Sequence, residues 1–302
     1  MTVAAFLSRI QVMPDYVVIT PVRNEGRHLP QTIASMVAQP VPPKRWVIVN
    51  DGSTDDTGAI IAAAVRQHPW IQSVTRPDRG FRKSGGGVVE AFYDGYALVQ
   101  DVPWDFLAKL DGDLAFDAGF FPGCFARFEQ EPRLGIGGGT ICEQVDGRLV
   151  AEKTGDPRFH VRGATKIYRR QCWEEIGGLV RAPGWDTVDE LKANMLGWTT
   201  RTFPELKLHQ LKFTGSADGL WRGWVKNGRA NYVTGYHPLF MLAKCARRTL
   251  RRPYLVGAAG LAWGYLSGYW QSATPCVDDR RLIRYVRDQQ LRKLTFRPSL
   301  WD

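Results

Sequence analysis

Two carboxylates one residue apart, in Asp111-Gly112-Asp113, follow the apolar run Phe106 to Leu110. Like charges so close repel, and such a pair is usually kept where a cation offsets the repulsion. Hard oxygen ligands suit Mg2+ or Mn2+, and a diphosphate would complete the coordination. A bare three-residue motif is equally a solvated acidic turn. A second acidic group, Asp186, Asp189 and Glu190 within Gly184 to Leu191, can supply a general base or simply charge a helix N-terminus. Between Gly80 and Gly87 glycines permit close backbone approach, and the neighbouring Arg79 and Lys83 can reach phosphates.

Short β-rich runs alternating with helical patterns must position these groups. Strands are expected at Tyr16 to Thr20, Trp46 to Asn50, Ile71 to Thr75 and Phe106 to Leu110, and helices at Leu29 to Ala38, Asp56 to Gln67 and from the glycine-rich stretch to about Val99. This is the pattern of βαβ units and a mainly parallel sheet with helices on both faces. Polar residues then collect at the carboxyl ends of strands, the edge where open α/β sheets bind ligands. Further on, Gly135 to Gly139 opens a strand-like segment, Arg170 to Ile176 reads as a short helix and Val188 to Leu196 as another. No linker rich in Pro, Gly or Ser divides residues 1–215, which split into a donor half over about 14–113 and an acceptor half over about 114–215.

The 302 residues, 44% of them hydrophobic, can fill a sizeable core, and a formal charge of +10 favours anionic partners. Much of the excess is local, at Arg247, Arg248, Arg251, Arg252 and again from Arg280 to Lys293, which favours a membrane or docked partner over nucleic acid. Five scattered cysteines, without CxxC spacing, suggest neither a disulfide framework nor a zinc site. Met1 to Asp15 lacks the basic-then-apolar pattern of a secretory signal, so a cytoplasmic location is expected.

The ordered motifs over roughly Tyr16 to Gly215 resemble family 2 glycosyltransferases of the GT-A fold. Thr20-Pro21-Val22-Arg23-Asn24-Glu25 resembles the first-strand signature, whose loop meets the nucleotide base and ribose. Val49 to Asp55 is similar to the second-strand signature, in which the residue matching Asp51 contacts the nucleoside. Arg79-Gly80 with Lys83 looks like the loop that closes over the nucleotide, and Asp111, Gly112 and Asp113 match the metal motif. The chemistry agrees: Asp51 and Glu25 can accept from a ribose hydroxyl or a base N–H. A helix cap is the other use of Asp51 to Asp55. Gly163, Ala164, Lys166 and Arg169 are similar to the segment beneath donor sugar and acceptor. The acidic stretch departs from the family's Glu-Asp pair, having Trp185-Asp186 and then Asp189-Glu190; counting back from Gly197 favours Asp186, and the adjacent pair favours Asp189. His209 stands where some GT-A enzymes place a third metal ligand beside Asp111 and Asp113, although a lone His is also a common structural residue.

The resemblance implies an inverting, Mg2+- or Mn2+-dependent transfer from a nucleotide-diphospho-sugar to a lipid-linked or polysaccharide acceptor. The QxxRW motif of processive synthases is absent, and Trp221-Arg222-Gly223-Trp224 only loosely resembles it, which favours one sugar per encounter. A sugar-nucleotidyltransferase, the competing enzyme, would want a Gly-rich basic loop directly after the first strand, which Thr20 to Glu25 does not supply; a non-catalytic nucleotide-sugar binder has no need of acceptor-side carboxylates. Residues 216–302 form a basic, aromatic, helical extension in which Pro253 to Val277 carries no charge. Its glycines and aromatics point to a peripheral place on the inner face of the membrane, on anionic lipid, or to a helical hairpin packed closely against the catalytic domain.

Overall fold

Alternation along the two inner strands builds two cores at once. In strands β1 (Tyr16–Val22) and β2 (Arg45–Asp51), Tyr16, Val18, Trp46 and Ile48 face one side and Val17, Ile19, Val47 and Val49 the other. The first face is covered by α1 (Leu29–Val37), α2 (Thr57–Gln67) and α4 (Phe120–Gln130), and the second by α3 (Gly86–Ala97), α5 (Arg170–Ile176) and α6 (Trp185–Met195). The computed structural model describes residues 13–81, 86–152, 156–212, 219–250, 254–271 and 277–302. Lys83 lies outside the described residues.

The remaining strands are β3 (Ile71–Arg76), β4 (Phe106–Leu110), β5 (Leu114–Phe116), β6 (Leu134–Val145), β7 (Arg148–Ala151), β8 (Thr165–Arg169) and β9 (Thr199–Gln210). They order as β3-β2-β1-β4-β8-β6-β9-β5, with β7 paired to β6. β1 pairs in parallel with both β2 and β4, so the strand order reverses there and a crevice opens beyond their carboxyl ends. β8 runs antiparallel between β4 and β6, which brings a loop from the second half of the chain to that same edge.

Helix α6 begins at Trp185, three residues ahead of the expected Val188, and therefore takes Asp186 into its first turn. Unforeseen β5 is held by α1: the Leu114 and Phe116 amides donate to Thr32 Oγ1 and Ser35 Oγ, each at 3.1 Å.

After residue 218 come α7 (Gly219–Val233), α8 (Pro238–Thr249), α9 (Tyr254–Trp270) and α10 (Arg280–Leu294). Gly257, Gly260, Gly264 and Gly268 turn toward α7 and its neighbours. A Cβ at Gly264 would collide with the Val225 carbonyl oxygen, and one at Gly228 with that of Leu261. The glycines of the uncharged stretch thus serve close packing on α7 and α8 rather than against the catalytic domain. Among the described residues no helix is long and apolar enough to cross a membrane. Gly264→Leu should drive α7 and α9 apart and cost about 1–3 kcal/mol, read as a lower midpoint in urea unfolding; an unchanged midpoint would contradict this packing.

Candidate functional site

The loops after β1 and β2 are laced into one surface by short polar side chains. Asn24 takes a left-handed backbone (φ 54) that suits Asn, and its Oδ1 accepts from the Thr54 amide at 2.8 Å. The amides of Asn24, Glu25 and Gly26 donate to Ser53 Oγ (3.0 Å), Thr57 Oγ1 (2.9 Å) and Asp55 Oδ2 (3.0 Å). Burial slightly favours the neutral form of Asp55, but hydrogen bonds from the Thr57 hydroxyl and from the Gly26 and Thr57 amides outweigh it and hold the carboxyl below the usual range. Pro21 stands beside Val49 in the β1–β2 register, just before this surface.

Asp51 is the hub of the donor-side charges. It receives Arg76 at 2.6 Å and a two-toothed contact from Arg79 at 2.8 and 2.6 Å. Arg23 donates to the Asp51 carbonyl at 2.7 Å and to Asp78 at 2.6 Å. The sequence reading gave Asp51 to a nucleoside and Arg79 to phosphates; the structure makes them each other's partners. Three donors on a carboxylate with about four acceptor positions leave room for one more hydrogen bond. Arg76, at the carboxyl end of β3, is a member of this hub that the motifs had not singled out.

The Asp111-Gly112-Asp113 turn follows β4 and is packed against β1 so tightly that a Cβ on Gly112 would strike Val22. Asp113 is buried, and burial together with the nearby Asp111 and Glu25 carboxylates pushes it up to about 7. Its one described donor is weak, Gln210 Nε2 at 3.5 Å. Glu25 adds a buried oxygen, Oε2, that has no hydrogen-bond partner among the described residues, while its other oxygen takes Lys212 at 2.6 Å. Oxygen acceptors that repel one another and lack donors fit a hard divalent cation. Among the described residues no three His, Cys, Asp or Glu side chains are grouped to hold a metal. Asp113 and Asp111 could therefore hold an ion only together with phosphate oxygens, as Mg2+ is commonly held.

Asp111 ties the turn to the second half of the chain. Its amide donates to the Ala164 carbonyl at 2.9 Å, and its carboxylate pairs with Lys109, which also donates to the Gly163 carbonyl at 2.6 Å. Lys109 is buried in an otherwise apolar strand, with Trp185 5.4 Å away across its ammonium group. A cation inside a buried strand just ahead of two carboxylates was the available signal for it. A Cβ on Gly163 would come within 3.1 Å of the Trp185 ring and 3.2 Å of Asp186 Oδ2. The Asp186 carboxylate thus stands against the same short loop that bonds the acidic turn.

Asp189 and Glu190, grouped with Asp186 in the sequence, point the other way and are fully buried. Lys166 reaches Asp189 at 2.8 Å and Glu190 at 2.7 Å. Tyr168 donates to Asp189 at 2.6 Å, and the Val161 amide and His160 meet Glu190 at 2.7 and 3.0 Å. Burial opposes charge on Lys166, yet the two carboxylates hold it above the ordinary lysine range. Burial likewise works against charge on His160, and Glu190 overcomes it, raising the imidazole to about 9. Two cations against two anions make a neutral knot, with no carboxylate free to take a proton from an incoming hydroxyl.

Three further expectations meet a different geometry. Lys166 belongs to this knot and has no exposed surface for an acceptor. Arg169 pairs with Phe106 at the far end of β4, five residues or about 17 Å from the start of the acidic turn at Asp111. It donates instead to the carbonyls of Leu134 (3.0 Å) and Phe128 (2.6 Å) and lies on the Phe106 and Phe128 rings. His209 is next to Gln210, and strand alternation sends neighbouring side chains to opposite faces. Gln210, which approaches Asp113, occupies the position the sequence reading gave to His209. Lys212, two residues past β9, was also missed, since nothing local in its sequence marks it.

The glycosyl transferase family 2 model matches residues 17–179, more than half the chain. No curated protein sequence matches it. Among solved structures it is similar to the mannosyltransferase PcManGT from Pyrobaculum calidifontis in complex with GDP-Man and Mn2+, with TM-score 0.54, 16% identity, and 95% of this chain and 89% of that one covered. It is also similar to S. aureus TarS 1-349 in complex with UDP-GlcNAc, with TM-score 0.53, 14% identity, and 92% and 81% covered. Identities this low speak for the fold, and the family match speaks for the chemistry. With a mixed α/β sheet of GT-A type, the chain belongs to glycosyl transferase family 2 and is a glycosyltransferase.

Proposed function

We propose that the enzyme transfers the sugar of a nucleotide-diphospho-sugar, with inversion, to a hydroxyl of a lipid-linked or polysaccharide acceptor, with Asp186 as base and a divalent metal at Asp113 and Asp111. The observation that carries this reading is the placement of the Asp186 carboxylate against Gly163, whose neighbour Ala164 bonds Asp111. One side of the crevice holds oxygen ligands with few donors, and the other holds the only member of the acidic trio outside the buried knot. Bound Mn2+ or Mg2+ would neutralise charge on the departing diphosphate. The solved relatives carrying GDP-Man with Mn2+ and UDP-GlcNAc support a nucleotide-sugar donor on this fold.

The chain's own residues do the rest. The Asn24 and Ser53 loops and the Asp51 hub offer hydrogen bonds to the nucleoside, and Glu25 and Lys212 border the acidic turn. Asp186 accepts the acceptor's proton as its oxygen bonds the anomeric carbon and the bond from that carbon to the diphosphate oxygen breaks. One displacement on the face opposite the leaving group gives inversion. Trp185, where the family pattern has Glu, has the Lys109 and Lys166 ammonium groups over its ring at 5.4 and 5.7 Å, which helps fix the start of α6.

The test uses purified protein, a panel of UDP-, GDP- and dTDP-sugars, and Mn2+ or Mg2+, with nucleotide release measured with and without EDTA. A metal-dependent signal with at least one donor is expected, and none with any donor would sink the proposal. Asp113→Asn should lose metal-stimulated donor binding. Asp186→Asn should keep donor binding while transfer falls about 100-fold or more; transfer at the parental rate would remove Asp186 from the role of base. Lys166→Met strands two buried carboxylates and should cost about 3–5 kcal/mol in urea unfolding; a loss under about 1 kcal/mol would show that the knot does not hold α6.

A further inference from the structure

We propose that the outward faces of α8 and α9 form a docking surface for an anionic lipid bilayer, attached to the acceptor side of the crevice. With its glycines turned inward, α9 presents Leu255, Trp263, Leu266 and Trp270 outward at steps of three to eight residues, each about half exposed or more. Along α8, Leu239, Leu242 and, just past its end, Leu250 are 57%, 68% and 80% exposed. Large apolar side chains scattered singly need no explanation, but two successive packed helices that both turn them outward do.

Charge selects the occupant. From Gly219 to Val277 the sequence contains no Asp or Glu, while Arg247 is exposed on α8 and Arg222 and Lys226 are exposed on the neighbouring α7. A second copy of the chain meeting this face across a two-fold axis would set basic patch against basic patch. An anionic bilayer instead accepts both the apolar side chains and the cations. Tyr254, Tyr269, Trp263 and Trp270 belong to the residue types that favour the interface between headgroups and acyl chains. Because no described helix is fit to span, the surface rests in that interface.

The surface joins the site through α7 and α10. A Cβ on Gly184, the residue ahead of α6, would lie 3.2 Å from Ala230 and from Thr234 Oγ1, at the end of α7. Val188 and Leu191 of α6 share a buried core with Tyr232, Leu261, Tyr265 and Leu282. The helix that carries Asp186 in its first turn is thus packed on the bundle that meets the bilayer. An acceptor held in that bilayer would approach from the Asp186 side. That last step rests on the proposed transfer reaction; docking itself does not, so the two can fail separately.

The full chain is sedimented with phosphatidylcholine vesicles and with vesicles that also contain phosphatidylglycerol. Expected are strong partition onto the anionic vesicles, weakening as salt is raised, and roughly tenfold weaker partition for Leu242→Glu/Leu266→Glu. Val150→Glu, on the exposed face of β7, should partition like the parent. Brominated lipid should quench tryptophan fluorescence in the parent chain, and less so in Trp263→Phe/Trp270→Phe, a readout that needs no charge inserted into the surface. No partition, equal partition onto neutral and anionic vesicles, or quenching unchanged in the tryptophan variant would overturn the proposal. So would a dimer in light scattering that Leu242→Glu/Leu266→Glu dissociates.

Discussion

Lys166 is enclosed on every side, and the geometry of the acceptor side depends on what it touches. It sits on β8, inside the sheet, and its ammonium group reaches the Asp186 carbonyl and the carboxylates of Asp189 and Glu190, all in α6. A buried charge without partners costs several kcal/mol, so α6 cannot slide or rotate without breaking a neutral cluster. The helix is fixed to the sheet by electrostatics as well as by Trp185 and Ala193, which share a buried core with β1 and β2. The half-buried Asp186 carboxylate one turn ahead inherits that rigidity. A catalytic group on a fixed helix terminus holds its position better than one on a loop.

On the other side of the crevice the logic is reversed. Asp113, Asp111 and Glu25 are brought together with too few donors, so burial, reinforced by repulsion from the other two carboxylates, raises Asp113 to about 7. Lys109 relieves Asp111 from behind, within β4, and Lys212 relieves Glu25 from outside. Among the described residues neither lysine hydrogen-bonds Asp113. The neutral knot locks α6, whose Asp186 carboxylate stands against the Gly163 loop, and the same loop bonds the under-compensated acidic turn.

Much of this was legible in the sequence because the nucleotide half is made of local signals. Strand runs, the turn after Asn50 and the acidic triplet each announce themselves within a few residues, and β4 and α5 have the bounds read from the sequence. What was not legible depends on contacts between distant segments. Asp186, Asp189 and Glu190 are equivalent as residue types, and only the position of Lys166 in the sheet separates one from the other two. Arg169 resembles a binding cation until β8 is seen to run antiparallel to β4, which carries it to the wrong end. His209 fails by the parity of one strand. The glycines of α9 suit either a segment at the membrane or close helix packing, and only the fold shows that they are the contact surface for α7, with the exposed apolar side chains on the opposite face of the helix and on α8.

Asp113 and Asp186 facing one reaction centre from opposite sides is the claim on which the rest turns. Its most direct measurement is a crystal grown with Mn2+ and the nucleoside diphosphate of the best donor, with anomalous scattering recorded at the manganese edge. Expected is one anomalous peak in contact with both Asp113 and the diphosphate, with the Asp186 carboxylate across a gap that admits a sugar ring. A nucleotide with its diphosphate away from Asp113, or one whose phosphates fill the space beside Asp186, would contradict it.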